Sequence, residues 1–184
     1  SLTYVATINS VLYCNAHPNF VDVSQNTLGV CPKKLEIYLK KISKKKKSYF
    51  INKKTGKRLK ALIVVHLYGM ASEIIKIKKV CNKYKIILIE DAAEALGSFY
   101  KKRHLGSFGD AGVLSFNGNK TITTGSGGMI ITNNKKLATE TLHLSTHAKK
   151  KGYNDHIHNK VGFNYRMSNL SAAVGCAQIE KIKS

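Results

Sequence analysis

A serine and a lysine lie five residues apart and are followed by a glycine-rich stretch. Ser115 ends an apolar run, Lys120 comes next, and the stretch closes at Gly128. A serine hydroxyl can donate to a phosphate. A lysine amine in a poorly hydrated crevice loses part of its preference for the ammonium form, as a Schiff-base lysine requires. The spacing indicates a hydroxyl on a phosphate and an amine aimed at a carbonyl carbon. A P-loop is excluded, because Asn119 separates Gly118 from Lys120.

An acid is the natural complement of such a lysine. Pyridoxal phosphate acts as an electron sink when its pyridine nitrogen is protonated, and a buried aspartate is the usual group that stabilises this charge. Asp91 follows the apolar run Ile86–Ile89, where a strand is predicted to end. Lys120 and Asp91 together therefore predict a pyridoxal phosphate site, with the two side chains on opposite sides of one aromatic ring.

Three short apolar runs rich in β-branched residues must position these groups. They are Ala61–Val65, Ile86–Ile89 and Ala111–Leu114. Continuous hydrophobicity is typical of parallel strands that are covered on both faces. The runs are followed by His66, by Glu90 and Asp91, and by Ser115. Ligands of open parallel sheets bind at the carboxyl ends of the strands, so we expect these polar residues to face a common crevice.

The remaining pattern alternates strands and helices, which predicts an α/β fold with right-handed crossovers. No repeat or Pro/Gly/Ser-rich linker marks an internal boundary. The helix Asn169–Ile182 is rich in small residues, and we expect it to pack tightly against a neighbour. The other predicted elements are a strand at Asn19–Val23, a helix from Pro32 to Ile42, a lysine-rich hairpin or insertion before Lys60, a helix at Ile74–Cys81, a strand at Met129–Thr132 and a helix at Lys135–Ser145.

The chain has 184 residues and a formal net charge of +21, which raises the question of nucleic-acid binding. Only three of the 31 basic residues are arginines, whereas base recognition relies on the guanidinium group, so a solvated surface is favoured over a nucleic-acid interface. The four cysteines form no C-x-x-C pair, which argues against a disulfide framework and indicates a reducing, cytoplasmic location. No apolar stretch is long enough to cross a membrane.

A metal site is not predicted. His143 and His147 have the i, i+4 spacing of helical metal ligands, but no glutamate or third ligand accompanies them. His156 and His158 are interpreted in the same way, as surface histidines.

Seven ordered segments together resemble one family, the sugar-nucleotide aminotransferases named after DegT and StrS, which are fold type I pyridoxal phosphate enzymes. The likeness runs through nearly the whole chain and is closest to the branch that aminates UDP-linked 4-keto-6-deoxy-2-acetamido sugars. The segments are Leu2–Thr7, Val65–Gly69, Glu90–Gly97, Gly106–Asp110, Leu114–Lys120, Thr123–Gly128 and Gly162–Asn169.

The resemblance implies a role for individual residues. Lys120 would form the Schiff base with the cofactor and then move a proton between cofactor and substrate. Asp91 would pair with the pyridinium, and Ser115 would donate to the cofactor phosphate. Tyr4 would lie across the ring, and Glu94 would stand beside it, where many members carry glutamine.

The resemblance also implies a homodimer. Asn164 would reach the phosphate of the partner's cofactor, with Arg166 nearby. Family members are considerably longer, so we expect residues 1–184 to be most of the large cofactor-binding domain, a three-layer α/β unit with a mostly parallel sheet. Without the N-terminal segment and the C-terminal small domain of its relatives, we expect it to be inactive and poorly stable.

The implied reaction transfers an amino group, from glutamate, to the 4-keto carbon of a nucleotide-linked deoxy sugar. One alternative is a sugar dehydratase on the same scaffold, but those relatives carry histidine in place of the lysine at position 120. A second alternative is a basic, non-catalytic binding module, which would bind nucleic acid with a steep salt dependence and would take up no cofactor.

Overall fold

The computed structural model describes residues 1–150, 152 and 157–182, so that His156 lies outside the described residues. These residues form two compact units, Ser1–Leu114 and Ser115–Ser184, although the sequence contains no linker that would mark the boundary. In chain order the elements are α1 (Val5–Tyr13), α2 (Pro32–Ile42), β1 (Ser43–Lys46), β2 (Tyr49–Asn52), β3 (Ala61–Val65), a 3-10 turn (Leu67–Gly69), α3 (Ile74–Tyr84), β4 (Ile87–Asp91), β5 (Phe99–Tyr100), β6 (Arg103–His104), β7 (Ala111–Ser115), β8 (Gly128–Ile131), α4 (Lys135–Ser145) and α5 (Asn169–Glu180).

The parallel sheet of the first unit confirms the predicted α/β arrangement. Within this unit β4 is the central strand, because it lies between β3 and β7 and pairs parallel with both. Val64 is paired with Glu90, and Glu90 is paired with Gly112. Burial alternates along β4, where Leu88 and Glu90 are buried and Ile87 is 41% exposed. The apolar runs therefore located the strands correctly.

Two amphipathic helices complete the core of the first unit. Helix α2 starts at Pro32, whose fixed φ suits the first helical turn, and buries Leu35 and Leu39 one turn apart. Helix α3 buries residues at the spacing of three and four that predicted it, and it ends where Lys85 adopts a left-handed conformation with φ 54°. The two helices and the central strands therefore form a single hydrophobic core.

The lysine-rich segment is a surface hairpin, as predicted. Strands β1 and β2 pair antiparallel around the turn at Lys47, which has a φ of 53°. The lysines of β1 are exposed, whereas Ser43 and Asn52 at its base are buried. The charge therefore lies in solvent while the base of the hairpin is anchored.

The first unit also departs from the predicted elements. Residues 19–23 do not form a strand, because the region contributes only a single bridge between Val23 and Val30. Helix α1 and the short β5–β6 hairpin were not predicted. Helix α1 has no buried residue, although Val5, Ile8 and Leu12 have the spacing of one helix face.

The second unit contains β8, α4 and α5, close to the predicted bounds. Asn134 caps α4 by accepting a hydrogen bond from the N–H of Leu137, and Ser168 caps α5 in the same way through Ser171. No residue of α5 is fully buried and Leu170 is 84% exposed, but one face of the helix approaches its neighbour as the small residues predicted, since a Cβ at Gly175 would lie 2.9 Å from the methyl carbon of Thr124. Nowhere in the described ranges is there a helix with the length and apolarity that a membrane span requires.

Candidate active site

Strand β4 ends in two consecutive acids that have different surroundings. Successive side chains of a strand point to opposite faces, so Glu90 and Asp91 lie on opposite sides of the sheet. Glu90 is fully buried. Its carboxylate accepts hydrogen bonds from the N–H groups of Gly106 at 2.9 Å, Phe108 at 2.6 Å and Gly109 at 2.6 Å. It therefore fixes the loop that leads into β7.

His66 completes this arrangement, which we call the Glu90 cluster (His66, Glu90 and residues 106–109). The imidazole is fully buried, and its Nδ1 accepts from the N–H of Ser72, so Nε2 carries the proton that is donated to Glu90 at 2.9 Å. Burial alone would raise the pKa of Glu90, but the hydrogen bonds from His66, Gly109 and Gly106 outweigh it and lower that pKa.

The prediction that His66 and Glu90 face a common crevice is therefore wrong. Neither side chain is exposed to solvent, and the two are hydrogen-bonded to each other inside the fold. A charged group removed from water must be paired and hydrogen-bonded, and four donors around one carboxylate meet that demand.

Asp91 remains partly exposed at the carboxyl end of β4. Its Oδ2 accepts from the hydroxyl of Thr7 at 2.6 Å, and its Oδ1 accepts from the N–H of Ala93 at 3.2 Å. The Thr7 oxygen in turn accepts from the Thr3 hydroxyl at 2.8 Å. A carboxylate offers about four acceptor positions, so two donors set its plane and leave capacity for a ligand. We call Thr3, Thr7, Asp91 and Ala93 the Asp91 cluster.

Two other predicted cofactor residues lie in the same unit. Tyr4 directly precedes α1 and is 77% exposed, and its carbonyl accepts from the N–H of Thr7 at 3.2 Å. Glu94 is partly buried, and its Oε2 accepts from the N–H of Tyr68 at 2.7 Å. Tyr68 has a φ of 51°, a region that costs free energy for a residue with a side chain, so Glu94 helps to hold a strained turn.

Ser115 and Lys120 lie at the start of the second unit, in a closed loop. The N–H of Phe116 donates to the carbonyl of Gly127, and the carbonyl of Phe116 accepts from the N–H of Thr124. Phe116 and Ile122 are buried below the loop, while Ser115 and Lys120 are partly exposed. The loop therefore presents both polar side chains on an anchored backbone.

Asn164 and Arg166 are exposed in the second unit. Asn164 forms an isolated bridge with Thr146, and the neighbouring rings of Phe163 and Tyr165 stack with centroids 5.0 Å apart. The Asn164 and Arg166 side chains are thus available on the surface of a segment whose backbone is held in place.

The structure divides the predicted site residues into two groups. Tyr4, Asp91 and Glu94 belong to the first unit, whereas Ser115, Lys120 and Asn164 belong to the second. Within the first unit, Thr7 connects the segment of Tyr4 to Asp91. The convergence of the two groups on one cofactor stays a prediction.

Comparisons with known proteins decide the family. A family model described as the DegT/DnrJ/EryC1/StrS aminotransferase family matches residues 1–184. The chain belongs to this aminotransferase family. The resemblance inferred from the motifs is therefore confirmed, and so is the fold class, an α/β unit of the kind found in fold type I pyridoxal phosphate enzymes.

Individual members of the DegT/DnrJ/EryC1/StrS aminotransferase family show how much of the protein is present. GDP-perosamine synthase of Escherichia coli O157:H7 is 39% identical over 184 residues, which are 98% of this chain and 45% of the relative. The structure of Helicobacter pylori PseC, an aminotransferase of pseudoaminic acid biosynthesis, matches with a TM-score of 0.81 at 29% identity and covers 97% of this chain and 44% of its own. The chain thus spans less than half the length of these relatives.

A third relative bears on the cofactor. Bacillus subtilis NtdA, solved with bound PMP, matches with a TM-score of 0.78 at 30% identity over 97% of this chain and 37% of its own. The residues of the present chain fit such a group. Asp91 keeps acceptor capacity at a partly exposed strand end, and the Ser115 oxygen accepts a long hydrogen bond from the N–H of Asn117 at 3.4 Å, which leaves its proton for a phosphate.

Sequence reasoning missed two roles. Glu90 looked like one of a pair of site acids and proved to be a buried anchor. Thr7 was part of a recognised segment but received no function. Thr3 lies just before α1 and Thr7 lies in its first turn, and the two hydroxyls meet at 2.8 Å where the chain enters the helix. Two threonines beside a predicted ring-stacking tyrosine were the available signal.

Proposed function

We propose that this chain is the cofactor-binding part of a pyridoxal phosphate-dependent aminotransferase. The enzyme would transfer an amino group, from glutamate, to the 4-keto carbon of a nucleotide-linked deoxy sugar. The observation that carries the proposal is Asp91, a partly exposed carboxylate fixed by two donors at the end of the central strand, in a chain that also retains Lys120. Membership of the aminotransferase family supports it.

Each proposed role follows from the chemistry of one side chain. When bound, the cofactor supplies the electron sink for cleavage at the carbon that carries the amino group. The carboxylate of Asp91 would keep the ring nitrogen protonated. The hydroxyl of Ser115 would donate to the phosphate, and the exposed ring of Tyr4 would offer a stacking surface.

Lys120 would bind the cofactor carbonyl carbon through Nζ and, once displaced by an amino donor, would hold and deliver a proton from the same atom. Lys120 is partly buried, and the hydrogen bonds that close its loop restrict where Nζ can reach. Both features favour a lysine that exchanges protons over one that serves only solubility.

The substrate class rests on relatives rather than on a described pocket. GDP-perosamine synthase and PseC are named for nucleotide-sugar or sugar biosynthesis, and the chain is similar to both. A net charge of +21 would attract a substrate that carries a diphosphate at low ionic strength. The four free thiols are consistent with work in the reducing cytoplasm.

We also propose a homodimer in which Asn164 reaches the partner's cofactor. Exposed Asn164 and Arg166 lie beside Val161 and Tyr165, which are 84% and 77% exposed, and such a surface would be better covered by another subunit. Sedimentation velocity of the Tyr165→Asp variant beside the unsubstituted chain measures whether the substitution converts a dimer into a monomer, as this proposal requires.

The first prediction concerns Lys120. After incubation with pyridoxal phosphate we expect the unsubstituted chain to show a visible absorbance band, and borohydride reduction to fix the cofactor on Lys120, which peptide mass spectrometry locates. Lys120→Ala should lose the band, because Lys120 is the amine proposed to form the Schiff base. Lys136→Ala, an exposed lysine of α4, is the matched control and should retain it.

Two outcomes would contradict the proposal. One is an unchanged band in Lys120→Ala, and the other is labelling spread over surface lysines with no preference for Lys120. If the band is confirmed, the substrate class is tested by adding the N-terminal segment and the small domain that the relatives carry and incubating the extended protein with glutamate and a panel of nucleotide-linked keto sugars.

A further inference from the structure

Helix α1 is weakly anchored by apolar packing. None of its residues is buried, and Val5, Leu12 and Tyr13 are each at least half exposed. The helix therefore depends on specific polar contacts to keep its place in the first unit, and a contact that reaches across the sequence has a large influence on its position.

Thr7 makes such a contact with Asp91. The two residues are 84 positions apart in the sequence, and the Thr7 hydroxyl lies 2.6 Å from Oδ2 of Asp91. A carboxylate can only accept, so the Thr7 proton must point at Asp91, and the Thr7 oxygen is left to accept from Thr3. The direction of both hydrogen bonds is thereby determined.

This bond links two residues that the proposed function places on the same cofactor. Thr7 fixes one oxygen of Asp91 while the N–H of Ala93 fixes the other, so the carboxylate plane is held from two sides. Thr7 also lies one helical turn after Tyr4, whose carbonyl accepts from the Thr7 N–H. Movement of Thr7 would therefore disturb the ring-stacking residue and the acid together.

We propose that Thr7 is a positioning residue that aligns the Asp91 carboxylate with the ring nitrogen of the cofactor and holds Tyr4 in register with it. This inference rests on the proposed function, since it assumes that Asp91 faces that nitrogen. Thr7 itself touches Asp91 and acts through it. Thr3 is one step further away, so its hydroxyl contributes less.

The test compares two cofactors and two substitutions. The Thr7→Val variant keeps the shape of the side chain and removes its hydroxyl, whereas Thr7→Ser keeps the hydroxyl. The probes are pyridoxal phosphate and its 1-deaza analogue, in which a C–H group replaces the ring nitrogen. Dissociation constants are measured by equilibrium dialysis with the full chain, so the readout is independent of catalytic turnover.

Thr7→Val should weaken pyridoxal phosphate binding about tenfold, the effect of losing a hydrogen bond that aligns a charged partner. It should leave the affinity for the 1-deaza analogue within about twofold, since that ring gives Asp91 nothing to align with. Thr7→Ser should bind both molecules like the unsubstituted chain. Thr139→Val, which removes an exposed threonine hydroxyl of α4, is the matched control.

An equal loss for both molecules in Thr7→Val would overturn the proposal, because it would show that Thr7 only supports the fold. A Thr7→Ser variant as weak as Thr7→Val would overturn it as well, because the hydroxyl would then be irrelevant.

A double-mutant cycle separates the failure of this inference from failure of the proposed function. Without added cofactor, Thr7→Val and Asp91→Ala should shift the thermal midpoint less in combination than the sum of their separate shifts. Additive shifts would overturn the Thr7–Asp91 link. If the shifts are coupled but the chain binds no pyridoxal phosphate, the proposed function is contradicted. The role given to Thr7 fails with it, and the Thr7–Asp91 hydrogen bond is then only a structural contact.

Discussion

The Glu90 cluster and the Asp91 cluster are built on neighbouring residues of strand β4, but their carboxylates differ in burial and in the number of hydrogen-bond donors. The Glu90 carboxylate is fully buried and accepts from four donors, three of them backbone groups of a single loop. The Asp91 carboxylate is partly exposed and accepts from two donors, which leaves room for a ligand. The comparison teaches that the number of satisfied acceptor positions distinguishes a structural acid from a candidate catalytic acid.

Replacing each acid by its amide should give the largest difference in the free energy of unfolding between the two clusters. Glu90→Gln places an amide group where donors already point, so we expect a loss of about 3 kcal/mol in the free energy of unfolding. Asp91→Asn should cost less than about 1 kcal/mol, because water can reach the site. Urea denaturation of both variants measures the difference. Equal losses would break the comparison.

Gly112 tests how closely the Glu90 cluster is packed. Gly112 is paired with Glu90 in the sheet, and a Cβ at Gly112 would lie 1.8 Å from the carbonyl oxygen of Gly106. Gly112→Ala must therefore displace the loop that Glu90 holds, at a cost of about 2 kcal/mol. Gly118→Ala is the matched control, since a Cβ there meets nothing within 4 Å. Similar thermal midpoints for the two variants would show that the loop yields easily.

Acid pH should weaken the Glu90 cluster gradually, and this is the smallest effect. The folded protein holds the pKa of Glu90 below its ordinary value of 4.5, so the unfolded chain binds more protons between the two values. The stability from this group is complete above pH 4.5 and is lost as the pH falls through the lowered pKa. Thermal midpoints measured from neutral to acid pH should fall more for the unsubstituted chain than for Glu90→Gln. Parallel curves would contradict the assignment.

Local patterns predicted most of the elements because they depend on near neighbours. The spacing of Ile74 and Ile77, and the position of Pro32, were enough to locate two helices, and the apolar run Ala61–Val65 was enough to locate a strand. Helix α1 was missed although Val5, Ile8 and Leu12 have the spacing of one helix face, and the structure buries none of its residues. The strand expected at residues 19–23 failed because only Val23 finds a partner.

By itself the sequence determined the fold class and the family, because the order of motifs and the spacing of hydrophobic residues can be read along the chain without knowing which residues are in contact. It also identified Lys120 and Asp91 as candidates. Only the tertiary structure decided that Glu90 is an anchor and that Thr7 contacts Asp91, since both facts depend on residues brought together from distant positions. Adjacent carboxylates look alike in sequence, and the donors around each one give it a role.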